Sequence, residues 1–593
     1  MDNVRSPLSG TVVHVLAPGT PVRAGQAVAM VEVMKMEHPV PAPTAGTVGE
    51  VLVAVGEKVE RDQPLAVVHE GEGDTQPERP AAGSEGLQHL TGRQTATRDA
   101  ARPEAVRRRH AAGGRTAREN VDDLLDDGSF VEYGALAVAA QRARRSLDEL
   151  VERTPADGVL TGFGTVAGAP VAVVAYDYTV LAGTQGMIGH RKQNRLFELV
   201  ARQRTPVVLY AEGGGGRPGD TDQLVVSALD TRAFGLWAAL SGVVPRIAVV
   251  HGNCFAGNAA LAGSADLVVA TETASWGMGG PAMIEGGGLG RVAPADVGPV
   301  AAHVAAGSVD VVVAGEREAT AVTRRLLAVF TTHRAVPGTC PDQDLLRDVV
   351  PDRRRAYDVR AVLRLLFDED TVLELREHFS PGMVTAFARL SGRSVGVIAN
   401  NPQHEAGAIT SGGADKAARF LQLCDAFDLP VVSLVDTPGM MVGPEAEATG
   451  LVRHSSRLFV AGATLSVPVV AVVLRRAYGL GAQAMLAGGT HEPLLTLAWP
   501  SGELAPMGLE GAVRLGQRRE LDAIADPVER EAEVTRLVAA LQDQAAAVNA
   551  ASVFEVDDVV DPADTRRLLT AALATCPPLT GRSEHRKRVV DTW

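Results

Sequence analysis

The sequence has few aromatic residues and few cysteines. Aromatic side chains make up 4% of its 593 residues, whereas Gly alone occurs 62 times. This composition favours closely packed α/β layers over an aromatic-rich core. The cysteines are far apart in the sequence and form no CxxC pair, which excludes a zinc ribbon and predicts no metal site: Cys254, Cys340, Cys424 and Cys576. We therefore expect free thiols in a reducing cytoplasm.

Excess positive charge and a long apolar span are also lacking. The 57 Lys and Arg residues against 71 Asp and Glu give a net charge of −14, which argues against a nucleic-acid partner. The uncharged run at residues 458–474 is short for a membrane span and contains Pro468. It predicts the end of a helix, a turn and a buried strand. No signal-peptide pattern opens the sequence, so we expect a cytoplasmic location and no membrane partner.

The first 70 residues contain an internal repeat. SPLSGTV at residues 6–12 recurs as APTAGTV at 42–48, and VRAGQAV at 22–28 recurs more loosely as VERDQPL at 59–65. Each copy alternates apolar and polar residues between Gly and Pro, as half-buried strands joined by tight turns do. Two copies predict a flattened barrel of short strands. Lys35 lies where the first copy passes into the second, so we predict that it occupies an exposed hairpin turn.

The residues around Lys35 carry a family resemblance. The stretch Val33-Met34-Lys35-Met36 resembles the biotinyl domain of biotin-dependent carboxylases, which usually has Ala-Met-Lys-Met here. The lipoyl domain shares this fold but usually has Asp-Lys-Ala instead. The resemblance implies a small all-β (hammerhead) domain, with biotin joined to Lys35 through an amide by a biotin protein ligase.

Changes in composition divide the chain into segments. Residues 1–70 form the predicted biotinyl carrier domain, and the Gly-, Pro- and charge-rich residues 71–87 form a predicted flexible linker. Residues of about 88–128 have the pattern of helices separated by Gly stops. We place a first larger domain at 88–345 and a second at 346–593.

These two larger domains contain a second duplication. TPVVLYAEGGGGR at residues 205–217 corresponds to LPVVSLVDTPGMM at 429–441, and VPRIAVVHGNCFAG at 244–257 corresponds to VPVVAVVLRRAYGLG at 467–481. Each half therefore alternates buried Val-rich strands with Gly turns and helices, which predicts parallel strands joined by helical crossovers.

Two Gly-rich turns are candidates for binding an anion. A Gly turn between a parallel strand and a helix leaves main-chain N–H groups at the helix N-terminus, where they stabilise an oxyanion. EGGGGRPGD at residues 212–220 and AYGLGAQAM at 477–485 have this pattern. Glycine turns often serve close packing alone, but we interpret these two as occupying equivalent points of the duplicated halves, which favours a functional role.

Most of the chain beyond residue 90 has a second resemblance. It resembles the carboxyltransferase of acyl-CoA carboxylases, of the propionyl-CoA carboxylase β-subunit type, which is built from two tandem α/β crotonase-like domains. The resemblance is carried by TARENVDDLLDDGSFVE, GVIANNPQHEAGAITSGGADKAARFLQLCDAFDLPVV, VDTPGMMVGPEAEATGLVRHSSRLFVA and FEVDDVVDPADTRRLL. It implies that a carboxyl group passes from carboxybiotin to the α-carbon of an acyl-CoA through an enolate, in a homo-hexamer made of three dimers.

The resemblance also assigns site residues. The main chain of Gly213 and Gly214 is implied to stabilise the acyl-CoA carbonyl, and that of Leu480 and Gly481 to stabilise biotin. EGGGGRPGD departs from the usual Ser-Gly-Gly-Ala-Arg of the family in the first half.

Further acyl-CoA contacts are predicted beside the first turn. Residues 183–195 are predicted to open a helix there, so Arg191 and Lys192 are candidates for contact with CoA phosphates. The alternative is a solvated helix face. Gly186 and Gly257 complete the predicted acyl-CoA contacts.

The chain shows no ATP-binding motif, because the glycines at 213–216 lack the lysine of a P-loop and no ATP-grasp pattern is found. We therefore expect a separate biotin carboxylase subunit to use ATP, bicarbonate and Mg²⁺. Three alternatives stay open: a biotin-dependent acyl-CoA decarboxylase subunit, a methylcrotonyl-type carboxylase acting at the γ-carbon, and a scaffold that only presents biotin. The acyl chain length is not fixed by the sequence.

Overall fold

The computed structural model describes residues 2–71, 85–222, 227, 229–331, 338–353, 355–576 and 589–593. The chain divides into two compact units, Met1–Thr91 and Gly92–Trp593. Most of the predicted linker, residues 72–84, lies outside the described residues.

The first unit is built from two four-stranded antiparallel sheets. One sheet has the order β1-β8-β6-β3 and the other has the order β5-β4-β2-β7. Small aliphatic side chains, mostly Val, form the core between them. The predicted flattened barrel is therefore confirmed, with the following strands: β1 (Asp2–Arg5), β2 (Gly10–Val15), β3 (Pro21–Val22), β4 (Ala27–Val33), β5 (Met36–Pro41), β6 (Gly46–Val51), β7 (Lys58–Val59) and β8 (Pro64–Glu70).

Helices follow the sheets of the first unit, as predicted, and the boundary between the two units falls within the first of these helices. Helix α3 begins with a capping box, in which Thr116 and Glu119 satisfy each other's main-chain N–H groups. The larger part of the chain has two halves, which correspond to the predicted domains 88–345 and 346–593. The α-helices of the first half are α1 (Glu85–Ala96), α2 (Pro103–Ala111), α3 (Ala117–Leu124), α4 (Leu147–Arg153), α5 (Met187–Gln203), α6 (Ala233–Ala238), α7 (Gly257–Gly263), α8 (Pro281–Gly286), α9 (Val300–Ala305) and α10 (Glu316–Thr331).

The first half is organised around an eight-stranded sheet of order β16-β14-β13-β12-β11-β10-β9, with β15 against β13. Strands β11 to β14 and β16 run parallel. Every residue of β12 is buried, as expected for a parallel strand covered on both faces. The strands are β9 (Val131–Glu132), β10 (Val159–Val166), β11 (Ala169–Tyr176), β12 (Val207–Gly213), β13 (Arg246–Phe255), β14 (Leu267–Thr271), β15 (Ser275–Gly277) and β16 (Val311–Val313).

The second half repeats this sheet with the order β17-β18-β19-β20-β21-β22-β24 and with β23 against β21. Its strands are β17 (Leu373–Leu375), β18 (Met383–Leu390), β19 (Arg393–Asn400), β20 (Val431–Thr437), β21 (Val469–Tyr478), β22 (Leu495–Ala498), β23 (Glu503–Ala505) and β24 (Asp558–Val559). Its helices are α11 (Leu346–Val349), α12 (Arg360–Leu366), α13 (Ser411–Ala426), α14 (Pro444–Glu447), α15 (Leu451–Ala463), α16 (Gly479–Met485), α17 (Leu509–Gly516), α18 (Arg518–Asp522), α19 (Pro527–Ala545), α20 (Ala547–Ser552) and α21 (Thr565–Ala574).

Strand register confirms the duplication. Gly213 of β12 pairs with Cys254 of β13, and Thr437 of β20 pairs with Ala477 of β21, after a register shift at the same place in both pairs. These pairings define which residues of the two halves are equivalent.

The uncharged run at 458–474 behaves as predicted. Helix α15 ends at Ala463, and the buried strand β21 begins at Val469. Among the described residues, no helix combines the length and the apolarity that a membrane crossing requires.

Candidate active site

Lys35 lies in the two-residue turn of the β4–β5 hairpin, as predicted. Val33 pairs with Met36 across the hairpin, and Met34 and Lys35 have φ angles of 52° and 64°. Two successive left-handed residues fit the right-handed twist of a tight hairpin. Met34 and Met36 are 93% and 66% exposed, and Lys35 is exposed between them. An accessible primary amine at a fixed hairpin tip fits the covalent attachment of biotin.

The first donor site consists of the loop 213–217 after β12 and the start of α7. Asn258 joins these two segments, because its side-chain Nδ2 donates to the carbonyl of Glu212 at 3.0 Å and its Oδ1 accepts from the N–H of Gly215 at 3.0 Å. Gly213 has a φ of 139°, and a Cβ there would lie 2.1 Å from the carbonyl oxygen of Gly183. The loop therefore requires glycine at this position.

The main-chain donors of this site are not equally available. The N–H of Gly214 makes a long hydrogen bond of 3.3 Å to the carbonyl of Ala182. Gly257 is the first residue of α7, where main-chain N–H groups have no acceptor within the helix. The roles of Gly213, Gly214 and Gly257 as donors stay predictions, and Asn258 is a supporting residue that the sequence reasoning missed.

The second donor site consists of the loop 437–441 after β20 and the start of α16. A Cβ on Gly481 would lie 2.5 Å from the carbonyl carbon of Gly439 and 2.6 Å from its Cα. The two main chains are therefore in direct contact. Leu480 and Gly481 lie in the first turn of α16, where the main-chain N–H groups lack helical acceptors. This position is compatible with their predicted role.

The two predicted Gly turns are not at equivalent points, contrary to the interpretation from sequence. By strand register Gly213 corresponds to Thr437, and Leu480 corresponds to Gly257. The loop after β12 also does not run directly into a helix, since the next described helix, α6, begins at Ala233.

Each donor site instead combines one strand end with the start of the helix after the neighbouring strand. The second site has Pro438 where the first has Gly214, and proline has no N–H to donate. The two sites therefore share a framework but differ in their main-chain donors.

Helix α5 begins beside the first donor site, as predicted, but carboxylates occupy its N-terminus. Asp220 accepts from the N–H of Met187 at 2.8 Å, and Asp157 accepts from the N–H of Gly189 at 2.6 Å. Gly186 makes room for a buried ion pair, because a Cβ there would lie 2.2 Å from the guanidinium of Arg217, which pairs with Asp157. This helix start is therefore already neutralised and does not attract a phosphate.

The prediction that Lys192 contacts CoA phosphates is not supported by its position. Lys192 is buried, and its ammonium donates to the main-chain carbonyls of Ala156, at 2.8 Å, and Val159. Burial lowers its pKa to about 8. Arg191, the preceding residue, is exposed, and its CoA contact stays a prediction.

The second half contains an equivalent buried lysine. Lys416 is the sixth residue of α13, as Lys192 is of α5, and its ammonium donates to the carbonyls of Arg376 at 2.8 Å and Phe379 at 2.9 Å. Burial lowers its pKa to about 7. In both halves the lysine holds the segment that leads into the first long strand, which is a structural role.

We predict that Asp157→Asn destabilises the chain by about 3 kcal/mol, because it leaves the buried Arg217 guanidinium without its closest anion. Denaturant unfolding followed by circular dichroism measures the effect. Glu533→Gln is the control, since Glu533 pairs with Arg536 on the exposed surface of α19. Equal unfolding midpoints for the two variants would contradict the structural role of the Asp157–Arg217 pair.

A resident metal is not indicated by the described part of the chain, where no group of three or more His, Cys, Asp and Glu side chains has the geometry of a metal site. The groups that the two donor sites offer are main-chain N–H groups and helix N-termini, which can stabilise a negatively charged oxygen.

The exposed hairpin lysine and the two duplicated α/β sheets agree with the class of biotin-dependent carboxyltransferases. The profile of the biotin-requiring enzyme family matches residues 2–68, and the profile of the carboxyl transferase domain family matches residues 108–578. The chain therefore belongs to the carboxyl transferase domain family and has an N-terminal biotinyl domain, which confirms both resemblances.

Individual relatives are consistent with this assignment. The methylmalonyl-CoA carboxyltransferase 12S subunit of Propionibacterium freudenreichii subsp. shermanii is 35% identical over 489 residues, covering 79% of this chain and 90% of that protein. A solved transcarboxylase 12S structure, described as a hexamer with methylmalonyl-CoA bound, has a TM-score of 0.74 and 32% identity, covering 87% of this chain and all of that one.

A solved single-chain, multi-domain long-chain acyl-CoA carboxylase resembles both units of the chain. It has a TM-score of 0.80 and 48% identity over 96% of this chain. The chain spans 56% of the length of that protein. The activity of the whole relative is therefore not transferred to this chain by similarity alone.

Proposed function

We propose that the chain is the carboxyltransferase and biotin carrier component of an acyl-CoA carboxylase. It moves CO2 from biotin on Lys35 to the α-carbon of an acyl-CoA, with acetyl-, propionyl- and longer acyl groups as the substrate class. The observation that carries this proposal is the presence, in one chain, of an exposed Met-Lys-Met hairpin and two donor sites of matching framework. Each larger half is then a crotonase-like domain, within 88–345 and 346–593.

Biotin bound at Lys35 supplies a ureido group that carries the transferred carboxyl group. The first donor site, with Gly213, Gly214 and Gly257, binds the thioester oxygen of the acyl-CoA. It stabilises the negative charge that would develop there as the α-proton passes to the ureido nitrogen that gives up CO2. The second donor site, with Leu480 and Gly481, binds the ureido oxygen. Donors that are fixed before the reaction lower the barrier, and one such donor contributes about 3 kcal/mol.

The proposal includes partners outside the chain. A separate biotin carboxylase subunit uses ATP, bicarbonate and Mg²⁺ to load biotin, and a biotin protein ligase attaches biotin to Lys35. A homo-hexamer is supported by the hexameric assembly of the transcarboxylase 12S relative, and its arrangement as three dimers is part of the proposal. A cytoplasmic location agrees with the ligase and carboxylase partners that the proposal requires.

We predict that the biotinylated chain alone decarboxylates carboxylated acyl-CoA thioesters, because transfer to biotin is the reverse of the proposed step. Malonyl-, methylmalonyl- and longer alkylmalonyl-CoA are supplied in turn, and CO2 release is measured. The same chain produced without biotin is the control. The proposal requires release that depends on biotin and stops with avidin. Equal rates with and without biotin would contradict it.

A further inference from the structure

A buried acid precedes the donor loop in both halves. Glu212 comes directly before Gly213, and the equivalent Asp436 comes directly before Thr437. Both are nearly inaccessible, at 2% and 0% exposure. A carboxylate so deeply buried needs cationic partners to remain charged.

The second half supplies these partners from arginine. The Nε atoms of Arg475 and Arg476, both on β21, lie 2.9 and 2.8 Å from the two carboxylate oxygens of Asp436. Arginine stays protonated throughout the physiological pH range. Both of these cations beside Asp436 are guanidinium groups.

In the first half, the cationic partners of the buried acid are an arginine and a histidine. The guanidinium of Arg109 on α2 donates to both oxygens of Glu212 at 2.8 and 2.7 Å. His251 on β13 places its Nδ1 3.4 Å from Glu212 and 3.3 Å from a second acid, Glu316 at the start of α10. The Nη2 atom of Arg109 also lies 3.3 Å from Glu316. We call these four residues the first-half charge cluster.

Further groups face the cluster from the surrounding elements. Glu316 also accepts from the side chain of Asn120 and from the main-chain N–H of Arg115. The ring of Tyr210 on β12 meets the ring of His251 edge-on. The Nε2 atom of His251 is buried and has no hydrogen-bond partner among the described residues.

With Glu212 and Glu316 both ionised, the charges of the cluster balance when His251 is protonated. Burial raises the pKa of Glu212, although His251 and Arg109 act to lower it. Glu212 and Glu316 carry two negative charges and Arg109 one positive charge, so neutral His251 leaves a net charge of −1 inside the protein. Burial lowers the pKa of His251, as does Arg109, whose Nη2 atom lies 3.5 Å from the His251 Nδ1. Glu316 and Glu212 outweigh both effects and raise the pKa of His251 above the usual 6.5. Burial raises the pKa of Glu316, but the charge and hydrogen bond of His251 reverse this and lower it to about 2.

The cluster touches both segments of the first donor site. Glu212 is the neighbour of Gly213, and its carbonyl holds Asn258 of α7. The carboxylate of Glu212 also contacts Gly252, which lies on β13, the strand that leads to Gly257. A Cβ on Gly252 would lie 1.9 Å from the Oε1 atom of Glu212. A net negative charge in the cluster therefore acts electrostatically on the loop 213–217. It also repels an oxyanion that forms next to this loop.

We propose that His251 is a positioning residue for the first donor site, which holds its donors correctly only while His251 is protonated. The second donor site, built on arginine, does not respond to pH in this way. This inference rests on the proposed function. It predicts that carboxyl transfer loses rate as pH rises above 6.5, through a change in kcat rather than in acyl-CoA binding.

The test compares wild type with His251→Gln between pH 6 and 9, measuring kcat for biotin-dependent decarboxylation and, separately, the Kd of an unreactive acyl-CoA. We expect the wild-type kcat to fall about tenfold as the pH rises, and we call this fall the alkaline limb of the profile. Removing a whole hydrogen-bond donor typically lowers kcat by about a hundredfold or more, so the expected effect is smaller. His251→Gln is expected to stay near the low alkaline rate at every pH, with Kd changed less than twofold. His110→Gln is the matched control, because His110 on α2 is exposed and pairs with the half-exposed Glu119.

A second variant tests the same charge balance if His251→Gln fails to fold. Glu316→Gln removes one carboxylate beside His251, so the pKa of His251 falls and the limb moves to lower pH. The inference is overturned if the wild-type profile is flat above pH 6.5, if His251→Gln keeps the limb, or if Glu316→Gln leaves its position unchanged. Absence of any biotin-dependent turnover in the wild-type chain would instead overturn the proposed function, and this inference with it.

Discussion

Lys35→Arg is expected to abolish biotin incorporation and to lower carboxyl transfer by about a thousandfold. Arginine keeps the positive charge at the hairpin tip but offers no primary amine for an amide bond. Loss of the covalent link removes the high effective concentration that tethering provides. Intact-mass measurement and a streptavidin blot report incorporation, and release of CO2 from a carboxylated acyl-CoA reports transfer.

The matched control for this variant is Lys58→Arg, which changes an exposed lysine on β7 of the same unit. It should be biotinylated and active like wild type. Free biotin at high concentration should partly restore decarboxylation in Lys35→Arg, because both donor sites are unchanged. Full activity of Lys35→Arg without added biotin would remove the basis for a tethered carrier.

Gly481→Ala is expected to lower transfer by about a hundredfold. The added methyl group would lie 2.5 Å from the carbonyl carbon of Gly439, and main-chain atoms cannot rotate away as a side chain can. The start of α16 must therefore shift, which displaces the donors of the second site by enough to lose their stabilising effect. The acyl-CoA Kd should be unchanged, since the first donor site is untouched.

Steady-state rates with free biotin as the varied substrate measure this effect most directly, because the second site is the one proposed to bind the ureido oxygen. Gly516→Ala is the control, since a Cβ at this position on α17 would meet no atom within 4 Å. Wild-type rates in Gly481→Ala, or a loss confined to acyl-CoA binding, would contradict the assignment of this site to biotin.

Local pattern was sufficient to predict the framework. The repeat around Lys35 predicted a hairpin because alternating residues and tight turns are recorded directly in the sequence, and the structure has that hairpin. The duplicated Val-rich strands predicted the two halves for the same reason. The uncharged run at 458–474 was correctly interpreted because Pro468 separates the end of a helix from a buried strand.

The pairing of the donor residues was harder to predict. The four glycines at 213–216 and the turn at Leu480 look alike as sequence, but one follows β12 and the other opens α16. Their equivalence depends on the register between neighbouring strands, which no short motif records.

Long-range partners were similarly hidden from sequence analysis. Lys192 looked like a surface cation because its acceptors, the carbonyls of Ala156 and Val159, lie more than 30 residues away along the chain. Asp157 and Asp220, which accept from the first N–H groups of α5, are similarly distant in the sequence. The sequence therefore did not reveal that carboxylates already occupy the start of this helix.

The matched lysines have a consequence for the history of the molecule. Lys192 and Lys416 occupy the same helix position and hold the same kind of carbonyl pair, whereas Glu212 and Asp436 have recruited different cations. Such a pattern is expected if both halves descend from one ancestral domain that already relied on the lysine. The cations beside the buried acid of each half would then have diverged after the ancestral gene was duplicated.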